Sequence, residues 1–200
     1  DRIERRKLNQ KKIKFNYRLL VHDVFKKGDQ YIMLAEAFYP KYIYPTAASA
    51  SGIFQRAGRS GTETVFDGYR YTHAVVLGFD SMGKLLWDNS FEITDVKTFD
   101  QEQFVKASVE EDRIVLLYLY DNVIRSKIIK ENEVLEGKTF NQLKLKFEND
   151  VVSGSLDDKM NGLEHWYGNT YFAYGIQNIK NATISGLRRR VFFLNKIVYQ

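Results

Sequence analysis

Side chains capable of chemistry are few and scattered along this 200-residue chain. The three histidines, His22, His73 and His165, share no spacing that would bring them to one metal ion. His22 and His73 do belong to apolar stretches whose strands would be neighbours, and Glu36 lies between them in sequence. A carboxylate in an apolar strand is costly unless paired, so His22, Glu36 and His73 read as a buried polar network of structural character. The chain contains no Cys, which removes thiol nucleophiles, disulfides and thiolate metal sites. Gly58-Arg59-Ser60-Gly61 lacks the closing glycine of a nucleophile elbow, since Thr62 stands in its place. Asp157-Asp158-Lys159-Met160-Asn161-Gly162 imitates the opening of a calcium loop, but Lys159 takes a ligand position and Gly168 stands where the bidentate Glu belongs. Asn181-Ala182-Thr183 fits a glycosylation acceptor, a triplet common by chance. The expectation is no catalytic residue, no metal site and no cofactor.

The residue types that do cluster are those of recognition. A segment from Pro40 to Val65 holds both prolines and the Ala/Ser/Gly-rich stretch Thr46-Ala47-Ala48-Ser49-Ala50-Ser51-Gly52. Long inserted loops in compact domains commonly bind something. Tyr39, Tyr42 and Tyr44 crowd one end of it, Tyr69, Arg70 and Tyr71 the other, and Arg56 and Arg59 lie inside. Tyr and Arg offer contact area and hydrogen bonds together, so these eight residues are the candidate binding site. The competing reading is that the rings fill the core and tether the loop base. Aromatic faces also stack on sugars, and in a carbohydrate-processing alternative Glu36, Asp67 and Glu63 would be the acid candidates.

Lys and Arg total 30 against 25 Asp and Glu, a formal charge of +5. The excess gathers at the ends, in Arg2, Arg5, Arg6, Lys7, Lys11, Lys12 and Lys14 and in Arg188, Arg189 and Arg190. No nucleic-acid reading element accompanies it, so a nucleic-acid partner is not expected. No apolar run approaches the roughly 18 residues of a membrane helix, and no signal peptide is visible. Because the sequence opens at Asp1, it is expected to be one domain over residues 1–200 cut from a longer chain.

These residues must be carried on strands. Short apolar runs separated by turn residues recur, the clearest being Ile32 to Ala35, Ala74 to Leu77, Ile114 to Leu119 and Val191 to Leu194. Gly28-Asp29, Met82-Gly83, Gly137-Lys138 and Gly168-Asn169 lie between such runs as hairpin turns. Residues 99–106 could make one helical turn. The stretches beginning at Asp29, Asp112 and Asn169 align with one another, each with a preceding strand; their spacings become equal once the Pro40 to Val65 segment is removed. Two of these strands are apolar on successive residues, the pattern of a sheet covered on both faces. The chain is therefore expected to be all-β, an antiparallel meander of propeller-like blades, with a closed β-barrel or β-sandwich as the alternative.

Leu77-Gly78-Phe79-Asp80-Ser81-Met82-Gly83-Lys84-Leu85-Leu86-Trp87 resembles the blade signature of quinoprotein-type β-propeller repeats, in which an apolar-x-Asp step turns through x-x-Gly-Lys into Leu-Trp. Enzymatic members of that superfamily would imply pyrroloquinoline quinone and calcium, but the vicinal Cys pair of the alcohol-oxidising members is missing. The resemblance therefore implies a non-enzymatic scaffold of an exported, periplasmic or cell-surface assembly. Roughly ten to twelve strands fall short of the sixteen in a four-bladed ring, which predicts a protein partner or self-association that completes the β-assembly. A glycan held by the Tyr-rich loop is the alternative ligand.

Overall fold

In a computed structural model, residues 17–44, 64–143, 145, 147, 149–153, 161–181, 183 and 188–199 are described. Among them the chain is all-β, with no helix. The first sheet contains β1 (Arg18–Val21), β2 (Phe25–Lys27), β3 (Gln30–Ile43), β4 (Val65–Phe79), β5 (Leu85–Glu92) and β6 (Lys97–Thr98). β1 and β2 follow one another along one edge of β3, and β5 and β6 along the far edge of β4. The second sheet is a meander of β7 (Lys106–Val109), β8 (Ile114–Tyr120), β9 (Val123–Lys130) and β10 (Glu133–Gln142). The third contains β11 (Asp150–Val152), β12 (Gly162–Tyr167), β13 (Thr170–Asn181) and β14 (Arg188–Val198), with β11 and β12 sharing one edge of β13. Among the described residues all pairings are antiparallel and no sheet closes into a barrel. Fourteen strands lie among the described residues, more than the expected ten to twelve, in part because the edges beside β3 and β4 are each carried by two short strands.

The three stretches aligned in the sequence are β3, β8 and β13, each entered by a hairpin from the edge strand before it. Gly28 and Gly168 take φ of 56° and 51° in two of these hairpins, a conformation that costs glycine little. Gly83 likewise turns β4 into β5. Gly137-Lys138 is a correction: it lies inside β10, where the pairing with β9 slips between Glu136 and Thr139. The turn itself is at Glu131 and Asn132, with Glu131 at φ 54°. Residues 99–106 form no helical turn; they run as an extended link into β7, because Tyr71 and Glu36 capture their backbone amides.

The sheets are joined face to face by two apolar layers. Ile32, Leu34, Val76 and Phe91 of the first sheet meet Ile114, Leu116, Tyr118 and Ile129 of the second. Val115, Leu117, Leu119 and Ile128 point the other way, onto Leu163, Tyr171 and Ala173 of the third. Strand β8 is thus buried on both faces, which is why its sequence Ile114-Val115-Leu116-Leu117-Tyr118-Leu119 has no polar alternation. Cross-strand aromatic rings cover glycines in both outer sheets. Trp87 lies over Gly78, and Tyr174 over Gly162. A Cβ at Gly78 would meet the indole at 2.2 Å, while the indole Nε1 donates to Gln30 Oε1 at 2.9 Å. Replacing Gly78 by Ala should therefore displace the ring and cost about 1–3 kcal/mol, read as a lowered urea midpoint.

Burial pushes the Tyr71 and Tyr171 hydroxyls up to about 12 from an ordinary 10.0. Between those values the unfolded chain releases a proton that the folded chain keeps, so stability falls as pH rises above 10 and the loss levels off above 12. Urea titrations across that window should show this decline, with a shallower slope for Tyr171→Phe.

Candidate functional site

The pairing of β3 with β4 carries two register shifts that shape the distal end of the hairpin. One lies where Pro40 pairs Tyr69 and Tyr42 pairs Phe66, so that Asp67 and Gly68 form a bulge opposite Lys41. Gly68 adopts φ 96°, and a Cβ there would lie 2.6 Å from the Thr98 carbonyl, so only glycine fits. The bulge turns the Asp67 carboxylate toward three cations. Lys97 of β6 donates directly to Oδ1, while Lys41 and Arg70 approach Oδ2 at 3.6 and 3.5 Å. The Lys97 hydrogen bond, reinforced by the charges of Lys97, Lys41 and Arg70 and opposed by desolvation, holds the Asp67 carboxyl below its ordinary range. The neighbouring rings lie on the other face of the hairpin, with Phe99 at its edge reaching both. Phe66 packs on Tyr69, Tyr42 and Phe99 at 5.0, 5.7 and 6.4 Å, and the Lys97 ammonium lies 5.3 Å above Phe99.

The expected binding residues divide in three. Tyr42 and Tyr44 are 58% and 69% exposed, and Tyr69 and Arg70 are half-buried beside Asp67. Tyr71 belongs to the core: it stacks on Phe38 at 5.6 Å, and its hydroxyl donates to the Glu102 carbonyl and accepts from the Glu102 amide. Tyr39 packs against Tyr17 at 6.0 Å. Arg56, Arg59 and Glu63 lie outside the described residues, as do the Gly58 to Gly61 stretch and Asp157 to Met160 at the opening of the calcium-like loop. Lys41, Lys97 and Phe99 were not among the expected residues. Lys97 and Phe99 come from a separate strand and its exit, some thirty positions from Asp67, and no local pattern announces that meeting.

Glu36 is fully buried, and its environment is filled from within the protein. His22 Nε2 lies 2.7 Å from Oε1, the Val105 amide donates to Oε1 at 2.9 Å and the Phe104 amide to Oε2 at 3.2 Å. His73 is not joined to this carboxylate. It pairs with Ala37, so it points to the opposite face of the sheet, where it lies near Thr72 Oγ1 and the Tyr17 ring. Glu36 pairs with Ala74, seven residues along β4 from Asp67. At a strand rise of about 3.3 Å per residue the two carboxylates are roughly 20 Å apart. Glycoside cleavage needs its acid and base within about 10 Å, so this pair cannot serve as one.

Among the described residues no three His, Asp or Glu side chains are grouped to hold a metal ion, and no helix is long and apolar enough to cross a membrane. At the glycosylation-like triplet, Thr183 donates from its amide and its hydroxyl to Asn181 Oδ1, closing a local turn. The distal end of the hairpin thus carries three cations around one carboxylate, with exposed rings on its other face. No family model, curated protein or solved structure matches the chain.

Replacing Glu36 by Gln turns an amide NH2 toward one of three donors and should cost about 1–3 kcal/mol of unfolding free energy at pH 7. Equilibrium urea unfolding measures it, and an unchanged midpoint would mean that the carboxylate carries no inter-sheet load.

Proposed function

We propose that this protein is a non-enzymatic interaction module of propeller type, a scaffold element of an exported or cell-surface assembly. In this reading the three stacked sheets are successive blades and further β-sheet covers the two ends of the stack. The supporting observation is the apolar character of both end faces. On the first sheet, strand alternation and register place Leu19, Val21, Tyr31, Met33, Val75 and Leu77 on the side away from the second sheet. On the third sheet, Phe172, Tyr174, Phe192 and Leu194 share the corresponding side, and Phe192 and Leu194 are 68% and 64% exposed. Contiguous apolar surface of this kind marks an interaction site.

We take the covering partner to be a second copy, with the first sheet of one molecule on the third sheet of the next. Such a contact is heterologous, because the two patches differ, and it generates rings or filaments.

Light scattering across a concentration series should show species heavier than the 23.4 kDa chain. Leu194→Glu, at an exposed position, should shift the population to monomer while the far-ultraviolet circular dichroism keeps its strand signature. A wild-type chain that stays monomeric at all concentrations would overturn the self-association reading.

A further inference from the structure

We propose that the outer edge of β14 takes an extended acidic segment of a partner protein as an added β-strand. The site is a backbone edge in the plane of the third sheet, so it leaves the stacked faces as they are and does not depend on the reading above. Among the described residues the first two sheets are four strands across, from the β1 and β2 row to the β5 and β6 row and from β7 to β10. The third is three across, because β11 and β12 share one edge of β13 and β14 alone follows on the other. No described strand pairs the far side of β14.

Hydrogen-bond parity shows which groups face that side. The Tyr199 amide donates to the Asn169 carbonyl at 3.1 Å, across the ladder between β13 and β14. On the opposite edge of β13, the Asn178 carbonyl accepts from the Ser153 amide at 2.7 Å and the Ile176 amide donates to Asn161 Oδ1 at 3.0 Å. Odd-numbered residues of β13 therefore bond to β14, and the register pairs odd with odd. The amides and carbonyls of Phe192, Leu194 and Lys196 consequently turn away from β13. Natural edges are commonly blunted by short strands, Pro or bulges. This one runs for 11 residues without Pro and without a register shift, whereas β10, the outer strand of the second sheet, slips twice against β9.

What the edge carries instead is charge of one sign. β14 holds Arg188, Arg189 and Arg190 at its start, Lys196 near its end and no carboxylate. Like charges directly opposite one another destabilise a strand pair, and opposite charges support it. A second β14 laid antiparallel in full overlap would set the arginines against Lys196, and the residues before Tyr17, with Arg5, Arg6, Lys7, Lys11 and Lys12, carry the same sign. An antiparallel segment with apolar residues opposite Phe192 and Leu194 and acidic ones opposite Lys196, Arg190 and Arg188 matches the edge along its length. Main-chain bonds would hold it and side chains would select it, the division of labour in strand addition.

The probe is a peptide as long as β14, with Glu opposite Lys196, Arg190 and Arg188, Val opposite Phe192 and Leu194, and Thr elsewhere. Isothermal titration of the full chain should show it binding about tenfold or more tightly than the same peptide with Lys for Glu, the scale of one charge-assisted contact. Arg188→Glu with Arg190→Glu should invert that preference, an outcome that unfolding cannot produce. Methylating the two Val amides of the peptide should abolish binding. In hydrogen exchange, the amides of Phe192, Leu194 and Lys196 should exchange rapidly in the chain alone and slow by about tenfold or more with saturating peptide, while those of Val191 and Phe193, already bonded to β13, stay slow throughout. Tyr31→Glu, on the outward side of the first sheet, should bind the peptide as wild type whatever its oligomeric state. Absence of binding, equal binding of the Lys or methylated peptide, or protection of the Phe192, Leu194 and Lys196 amides before any peptide is added would each overturn the proposal.

Discussion

A carboxylate without access to water holds the first sheet to the second. Glu36 sits on a strand of the first sheet, yet two of its donors are the amides of Phe104 and Val105, on the link that leads into the second. Burying an ion there is tolerable only because donors surround it, and one of them, the His22 ring, comes from the edge beside β1. Every strand pairing is between chain neighbours or, for β1 with β3, β4 with β6 and β11 with β13, across one intervening strand, so the sheets themselves form locally. Glu36 spans 69 residues to Val105 and makes the relative position of two sheets a definite thing. Tyr71 fastens the same link by gripping both backbone groups of Glu102. On the far side of the interface, Lys127 of the second sheet donates to Asn89 Oδ1 and the Ser90 carbonyl of the first, and Asn89 donates to the Glu131 carbonyl. The apolar layer is thus pinned by polar contacts along both margins.

The middle sheet lives under a different constraint from the outer two. Both faces of β8 are dry, so every residue there must be apolar or, like Tyr118, must carry its hydroxyl to a partner. Its hydroxyl accepts from the Thr94 amide at 3.0 Å. The outer sheets each have one face in contact with the stack and one without. Their outward residues are nevertheless Leu, Val, Phe and Tyr as often as they are polar.

Much of this was legible in the sequence, and the parts that were not share a cause. The all-β class and the hairpins at Gly28, Gly83 and Gly168 follow from turn residues that tolerate positive φ. The turns at Asp121-Asn122 and Glu131-Asn132 lack glycine and were overshadowed by Gly137, which sits inside a strand instead. Burial of β8 on both faces could be read from its unbroken apolar run. That Tyr71 is core while Tyr42 is surface could not, because the bulges in the β3–β4 pairing change which residues face inward. The Asp67 cluster likewise depends on Lys97 arriving from another strand, a meeting that only the folded chain creates.

The contrast between the two tryptophans has an optical consequence. Trp87 is shielded at 7% exposure with its nitrogen engaged by Gln30, and Trp166 stands 60% exposed on the third sheet. The protein therefore carries two natural fluorophores of different colour: a blue-shifted one that reports the first sheet, and a red-shifted one, reachable by iodide or acrylamide, at the opposite end of the stack.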